Sequence, residues 1–181
     1  MKLGLNTYSV LGTFDSNLGN HYIIMCNKSR SKFMPIMLSF SQKTVLMDYG
    51  TSGSKKFLGI YTSLLDMWAS IDCNLSAMVM KPTVIESGEP GVDVDLILTQ
   101  VGEDGMHILH SSFPIGDAAI ISVLTKMPIF VGEDTVEIST IDINLKEIDD
   151  SKLMEAVIHE VNQCEKILSE GPDGIGDSNP V

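Results

Sequence analysis

The segment at residues 92–101, VDVDLILTQV, alternates apolar and other side chains with a period of two. The apolar side chains at its even-numbered positions share one side of an extended strand, while Asp93 and Asp95 share the other side. GEDG and then MHILH follow, which predicts a tight turn and a returning antiparallel strand. A hairpin with one apolar side needs a core on that side, so the segment favours an antiparallel sheet packed against other elements.

The rest of the chain interleaves strand-like and helix-periodic segments. Pro35 falls within a predicted strand and indicates an edge or a bulge, whereas Pro82 is expected to end its strand. Ser41 is expected to cap the first helix and Gly50 to end it. Further strands are predicted at 3–10, 21–28, 31–40, 73–82, 127–131 and 136–145, and helices at 41–50, 56–70, 116–126 and 150–170.

This order predicts an α+β fold, in which a mostly antiparallel sheet, or more than one, is packed against helices. The segments FMPIMLS and KMPIFVG resemble each other, which suggests an internal duplication. We expect residues 1–143 to form the main domain, residues 144–170 to add an extra C-terminal amphipathic helix, and residues 171–181 to be a flexible tail.

The predicted last helix has a narrow apolar stripe flanked by acids. Asp150 or Ser151 is positioned to cap its start. Such a stripe suits either packing back onto the domain or pairing with a second subunit, and we expect a homo-oligomer with a dimer contact here. The stripe consists of Leu153, Val157, Val161, Cys164 and Leu168.

The net charge of −12 is spread unevenly along the chain. Residues 1–70 contain seven basic and three acidic residues, whereas residues 133–181 contain three basic and thirteen acidic ones. Phosphate backbones repel an acidic chain, which disfavours a nucleic-acid partner. The positive charge at Lys28, Arg30 and Lys32 suits binding of a nucleic-acid substrate or an acidic protein partner, or is simply a solvated turn.

The cysteines and the apolar runs bear on location. Cys26, Cys73 and Cys164 are odd in number and far apart, which predicts reduced, buried thiols rather than a disulfide framework or a zinc site. The first ten residues lack the continuous apolar core of a secretory signal. No apolar run approaches the roughly 20 residues that cross a bilayer. We therefore expect a cytoplasmic protein with no membrane association.

Three segments resemble the bifunctional nuclease domain family: FMPIMLSFSQKTVL, YTSLLDMWASIDCNLSAMVM and, most sharply, FPIGDAAIISVLTKMPIFVGED. They resemble that family's Pro-containing strand with its helix, its second helix with the next strand, and its Pro-Asp helix start with the closing strand. The likeness covers about residues 1–138 and includes the hairpin described above. It implies a small α+β protein that cuts DNA and RNA.

The chain departs from the family pattern at most polar positions. Members typically carry acids in the helix after the first Pro-containing strand, and often a histidine with an acid in the second helix. They usually carry an acid and an arginine just before the Pro-Asp helix start, where only Pro114 and Asp117 match here and Gly116 resembles an insertion. The residues at the other positions are Gln42, Thr44, Thr62, Ser63, Ser111 and Phe113.

Phosphodiester cleavage commonly uses carboxylates that hold Mg²⁺ or Mn²⁺, and the metal activates water. Asp117, Asp93 and Asp95 are the candidate metal ligands, and Asp117 with His110 is the candidate catalytic pair. Each acid also has an ordinary structural interpretation. Asp117 can stabilise a helix start through the exposed amides, and Asp93 and Asp95 can belong to a solvated sheet face.

Two functions from different classes follow. The first is a metal-dependent nuclease in which Asp117 binds the metal ion and the basic turn at Lys28–Lys32 positions the substrate. The second is a non-catalytic interaction or regulatory module on the same fold, because fold alone does not determine function. The loss of most of the family's polar residues favours the second.

Overall fold

The computed structural model describes residues 5–52, 59–85, 87–102, 105–142 and 152–170. The predicted tail at 171–181 and the two candidate cap residues, Asp150 and Ser151, lie outside these ranges. In the described ranges, no helix is long and apolar enough to span a membrane.

Eight strands and five helices are found in the described part of the chain. The strands are β1 (Leu5–Asp15), β2 (His21–Asn27), β3 (Lys32–Leu38), β4 (Cys73–Val84), β5 (Pro90–Gly102), β6 (Gly105–Phe113), β7 (Ile129–Gly132) and β8 (Ile141–Asp142). The helices are α1 (Phe40–Ser52), α2 (Ile60–Ser70), α3 (Ile115–Thr125), α4 (Glu133–Ser139) and α5 (Leu153–Glu170).

All eight strands belong to one sheet, in the order β6-β5-β4-β7-β1-β2-β3-β8. Every neighbouring pair is antiparallel except β4 and β7, which run parallel. The predicted α+β fold with a mostly antiparallel sheet is therefore confirmed.

A three-stranded antiparallel meander followed directly by a helix occurs twice. β1–β3 lead into α1, and β4–β6 lead into α3. The two Pro-containing segments that suggested a duplication belong to β3 and β7, which are not equivalent in this arrangement. The repetition in the structure is thus one of element order, with β7 joining the two meanders.

The main core lies between the sheet and the helices α1, α2 and α3. The alternation predicted for residues 92–101 is confirmed, because Val94, Leu96 and Leu98 of β5 are buried in this core. Helix α3 adds a fully buried apolar run that includes Ile120. Trp68 of α2 closes the core near β6, with its ring in edge contact with Phe113.

Helix α5 covers the opposite face of the sheet over β1–β3. Its Leu153, Val157 and Val161 pack on apolar residues of those strands, so the stripe packs back onto the domain. The stripe then departs from the prediction, since Cys164 and Leu168 are exposed and Glu165 is buried. The position one helical turn after Val161 is Glu165, so the apolar contact of the helix ends there.

The segment at 136–145 was expected to be a strand, and this expectation was wrong. Its described residues form the end of α4 and the two-residue β8. Glu133 and Asp134 occupy the first turn of α4, where carboxylates interact well with the helix dipole. Val136 is buried in the main core, so tertiary burial overrides the local alternation.

Pro82 and Ser41 also differ from expectation. β4 continues through Pro82, which pairs with Val92 of β5. The ladder between β4 and β7 ends at Met80, before Pro82 is reached. The N–H that Pro82 lacks therefore removes no hydrogen bond between β4 and β7. At α1 the hydroxyl of Ser39, and not that of Ser41, accepts the N–H of Gln42 at 3.3 Å.

Glu165 attaches α5 to the β1–β2 hairpin. Its Oε1 accepts hydrogen bonds from Asn20 Nδ2 at 2.8 Å and from the Tyr22 hydroxyl at 2.7 Å. Burial disfavours the ionised form of Glu165, but hydrogen bonds from Asn20, Ser16 and Tyr22 outweigh burial and hold its pKa below 4.5. Burial of Tyr22 and its hydrogen bond to Glu165 raise the pKa of Tyr22 to about 12.

We expect acid to weaken this attachment. The pKa of Glu165 is lowered in the folded state. The stabilisation that the ionised side chain gives the fold is therefore complete above pH 4.5 and is lost as the pH falls through the folded-state pKa. Urea unfolding from neutral pH to about pH 3 should show Glu165→Gln less stable than wild type by about 1–2 kcal/mol at neutral pH, with the difference shrinking in acid. A difference that does not change with pH would contradict this assignment.

Candidate functional site

Asp117 joins three helices. It lies in the first turn of α3, and its Oδ1 accepts a hydrogen bond from the Tyr61 hydroxyl of α2 at 2.5 Å. The same oxygen accepts a hydrogen bond from Gln42 Nε2 of α1 at 2.6 Å. We call Gln42, Tyr61 and Asp117 the Asp117 junction. The carboxylate thus holds α1, α2 and α3 together rather than capping only its own helix.

The orientation of Gln42 is fixed from both ends of its amide. While Nε2 donates to Asp117, Oε1 accepts the backbone N–H of Ser39 at 2.8 Å. Gly116 makes room for this amide, since a Cβ at that position would lie 2.8 Å from Gln42 Oε1. The residue that resembles an insertion in the sequence therefore leaves the space that the Gln42 amide occupies beside α3.

Tyr61 is the proton donor of the junction. Its burial, followed by its hydrogen bond to the Asp117 carboxylate, raises the pKa of Tyr61 well above its usual range. The hydroxyl therefore remains protonated at neutral pH and keeps donating to Asp117. A residue in this state is suited to a structural hydrogen bond and poorly suited to proton transfer near neutral pH.

Asp95 lies on the opposite face of the sheet from Asp117. Its neighbours Val94 and Leu96 point into the core beneath the helices, so Asp95 points away from them. Its carboxylate accepts hydrogen bonds from Lys81 Nζ at 2.8 Å and from the Ser112 hydroxyl at 3.1 Å. The bond from Lys81 is the main reason that the pKa of Asp95 lies below its usual range.

His110 and Asp93 share the face of Asp95. His110 pairs with Ile97 across the β5–β6 ladder, on the same face as Asp95. The sheet thus separates His110 from Asp117, and the proposed catalytic pair is not brought together. Asp93 and Asp95 are likewise separated from Asp117, so the three acids cannot share one ion.

The residues around Asp117 do not fit a Mg²⁺ or Mn²⁺ site. These ions require several oxygen ligands that converge on one point. In residues 5–52, 59–85, 87–102, 105–142 and 152–170, no group of three His, Cys, Asp or Glu side chains could hold a metal ion. The metal remains a prediction of the family resemblance.

The basic turn lies far from the Asp117 junction. Lys28 and Arg30 lie in the turn between β2 and β3, and Lys32 begins β3. Gln42 follows the other end of β3, and the seven residues of this strand span about 23 Å. The basic turn is therefore not placed to position a substrate at Asp117.

A second polar cluster was missed by the sequence analysis. Asp15 Oδ1 lies 2.7 Å from His21 Nδ1, and its Oδ2 lies 2.6 Å from Lys43 Nζ. The hydrogen bonds from Lys43 and His21 hold the pKa of Asp15 below its usual range. The three side chains line a cavity of about 200 Å³. Its apolar walls include Phe14, Tyr22, Leu38, Leu46 and Met47.

Part of this cluster has a signal in the sequence. Asp15 ends β1 and His21 begins β2, and antiparallel pairing across the short turn places them opposite each other. Counting back from the turn residues would have found this pair. Lys43 has no such signal, because its approach to Asp15 depends on how α1 packs on the sheet.

Comparison with known proteins leaves the family open. No protein-family model matches this chain, and a search of curated proteins finds no match. The resemblance to bifunctional nuclease domains therefore stays a prediction.

Removing the carboxylate should destabilise the protein. Asp117→Ala leaves the buried Tyr61 hydroxyl without its acceptor, and we expect a loss of about 2–3 kcal/mol in urea unfolding. Asp117→Asn keeps an acceptor oxygen and should cost less. Asp66→Ala, on the exposed side of α2, is the control and should change stability by less than about 0.5 kcal/mol. Equal effects of all three variants would show that the junction is not structural.

Gly116 offers an independent test of the same contact. Alanine in place of a helical glycine usually stabilises by about 0.5–1 kcal/mol. We expect that gain for Gly50→Ala, where an added Cβ meets nothing within 4 Å. Gly116→Ala should instead lose about 1 kcal/mol in urea unfolding, because the new methyl group displaces the amide of Gln42. Stabilisation by both substitutions would contradict the close approach.

Proposed function

We propose that this chain is a non-catalytic interaction module on an α+β fold. The observation that carries the proposal is the exposed apolar surface of the β5–β6 hairpin. Val101 and Met106 are each 68% exposed and Ile108 is 58% exposed. Val101 and Met106 are neighbours across the β5–β6 ladder, and exposed apolar side chains that lie together in this way are a feature of protein-binding surfaces.

The uneven cover of the sheet supports this proposal. The strand residues that pack against α5 come from β1–β3 and β8. On the same face, Val79 of β4, Ile97 of β5 and Phe130 of β7 are only partly buried. Among the described residues, this face is covered over only part of the sheet, and its apolar border gives a partner surface to bury.

The Asp117 junction also favours a non-catalytic role. A metal ion at Asp117 would have to displace the hydrogen bonds from Gln42 and Tyr61, and both connect α3 to another helix. Binding of a catalytic metal ion would therefore destabilise the contacts that connect α3 to the other two helices. The net charge of −12 opposes a polyanionic substrate as well.

A nuclease assay tests the proposal against the activity that the resemblance implies. Single- and double-stranded DNA and RNA are incubated with Mg²⁺ or Mn²⁺ and with wild type, Asp117→Asn or Asp66→Asn. We expect no metal-dependent cleavage above background by any of the three proteins. Cleavage by wild type and Asp66→Asn that is lost in Asp117→Asn would overturn the proposal and establish Asp117 as catalytic.

A further inference from the structure

The two edges of the sheet are protected very differently. At one edge, β8 pairs with Lys32 and Phe33 of β3. At the other edge lies β6, a nine-residue strand, and within the described ranges no strand pairs with its outer side. A long open edge offers unpaired N–H and C=O groups to another strand.

β6 also lacks the features that usually protect such an edge. Its sequence, GMHILHSSF, contains no Asp, Glu, Lys, Arg or Pro. Its register with β5 runs without a bulge from Val94 to Gly102. By contrast, β3, the equivalent strand of the first meander, contains both Lys32 and Pro35. Charge, proline and bulges are the common means of preventing edge-to-edge pairing, and β6 uses none of them.

The groups available for pairing follow from the register of the hairpin. Gly102 and Gly105 are the last partners of the β5–β6 ladder, and two residues separate them in the sequence. In an antiparallel hairpin closed at this spacing, the last pair is expected to exchange both backbone hydrogen bonds. Every second residue of β6 then directs its N–H and C=O away from β5. These residues are Met106, Ile108, His110 and Ser112. Their side chains all lie on the open face of the sheet, beside Val101 and Asp95.

We propose that a second copy of this chain binds here, with the two β6 strands pairing antiparallel about a two-fold axis. This inference rests on the proposed function and names its partner. Two-fold pairing matches the strand with itself, so each outward N–H can meet a C=O of the partner. With the whole strand paired, Ile108 lies opposite His110 of the other copy and diagonally across the axis from its Ile108, while Met106 lies opposite its Ser112.

Charge permits a second copy to bind at this strand. Two molecules of net charge −12 repel each other, and they approach most easily through surfaces without charged side chains. β6 is such a surface. A basic partner protein would gain nothing from this strand, because it contains no carboxylate.

The dimensions suit a stable contact. Nine residues of strand span about 30 Å. Pairing along the whole of β6, with the two Ile108 side chains close to the axis, uses that length.

Ile108→Lys and Leu18→Lys make a matched pair of variants. Both side chains are 58% exposed, and both substitutions add the same charge. Leu18 lies in the turn between β1 and β2, far along the sheet from β6. In sedimentation equilibrium we expect wild type and Leu18→Lys to be dimers, and Ile108→Lys to weaken dimerisation about 100-fold or more. Circular dichroism verifies that each variant is folded.

Hydrogen exchange of wild type alone provides a second readout that needs no variant. The outward amides of Met106, Ile108, His110 and Ser112 should exchange slowly in concentrated protein and quickly after dilution below the dissociation constant. Amides of β2, which is central in the sheet, should not respond to dilution. Outward amides that exchange quickly at every concentration would overturn the pairing of β6.

The remaining outcomes are also decisive. A monomeric wild type overturns this inference but leaves the non-catalytic proposal standing. A dimer that Ile108→Lys does not weaken places the contact elsewhere, and Leu168→Lys then tests the exposed end of α5. Metal-dependent cleavage in the nuclease assay would overturn the proposed function without changing the mass of the particle.

Discussion

One carboxylate oxygen holds together the helices that cover the main core. Through Asp117 Oδ1, α3 is bonded to Tyr61 of α2 and to Gln42 of α1. Helix α3 is almost wholly apolar and buried on the sheet, so it gives the other two helices a fixed reference. The positions of α1 and α2 therefore depend on a polar contact at the start of α3, and on apolar packing further along.

Helix α1 shows why such polar contacts matter. Its exposed residues include Phe40, at 74%, and Met47, at 57%, so its apolar side chains do not gather into one buried stripe. Neighbouring residues instead attach it to two carboxylates, Gln42 to Asp117 and Lys43 to Asp15. The first turn of α1 is thus held by two acids, one at the end of β1 and one at the start of α3.

The difference between apolar packing and polar contacts between distant residues explains what the sequence could predict. The alternation at residues 92–101 reports burial directly, because a strand with one face in a core must place apolar residues at every second position. The partners of Asp117 lie 75 and 56 residues away, and no local pattern encodes them. Tyr61 lies at helical spacing from Leu64, Leu65 and Trp68 and so reads as part of an apolar stripe, which conceals the role of its hydroxyl. Where the local pattern and tertiary burial disagreed, as at Val136, burial determined the structure.

Charge repulsion connects the acidic composition of the chain to the open edge of its sheet at β6. In an acidic chain, charge repulsion already keeps most surfaces of two molecules apart. An edge strand without charged residues is then the exception, since the strand at the other edge, β8, contains Asp142. Trp68 and Phe113 anchor one side of β6 on the core, while Asp95 and Lys81 neutralise each other beside it. The result is an uncharged edge on an acidic protein, where two copies can pair without placing like charges opposite each other.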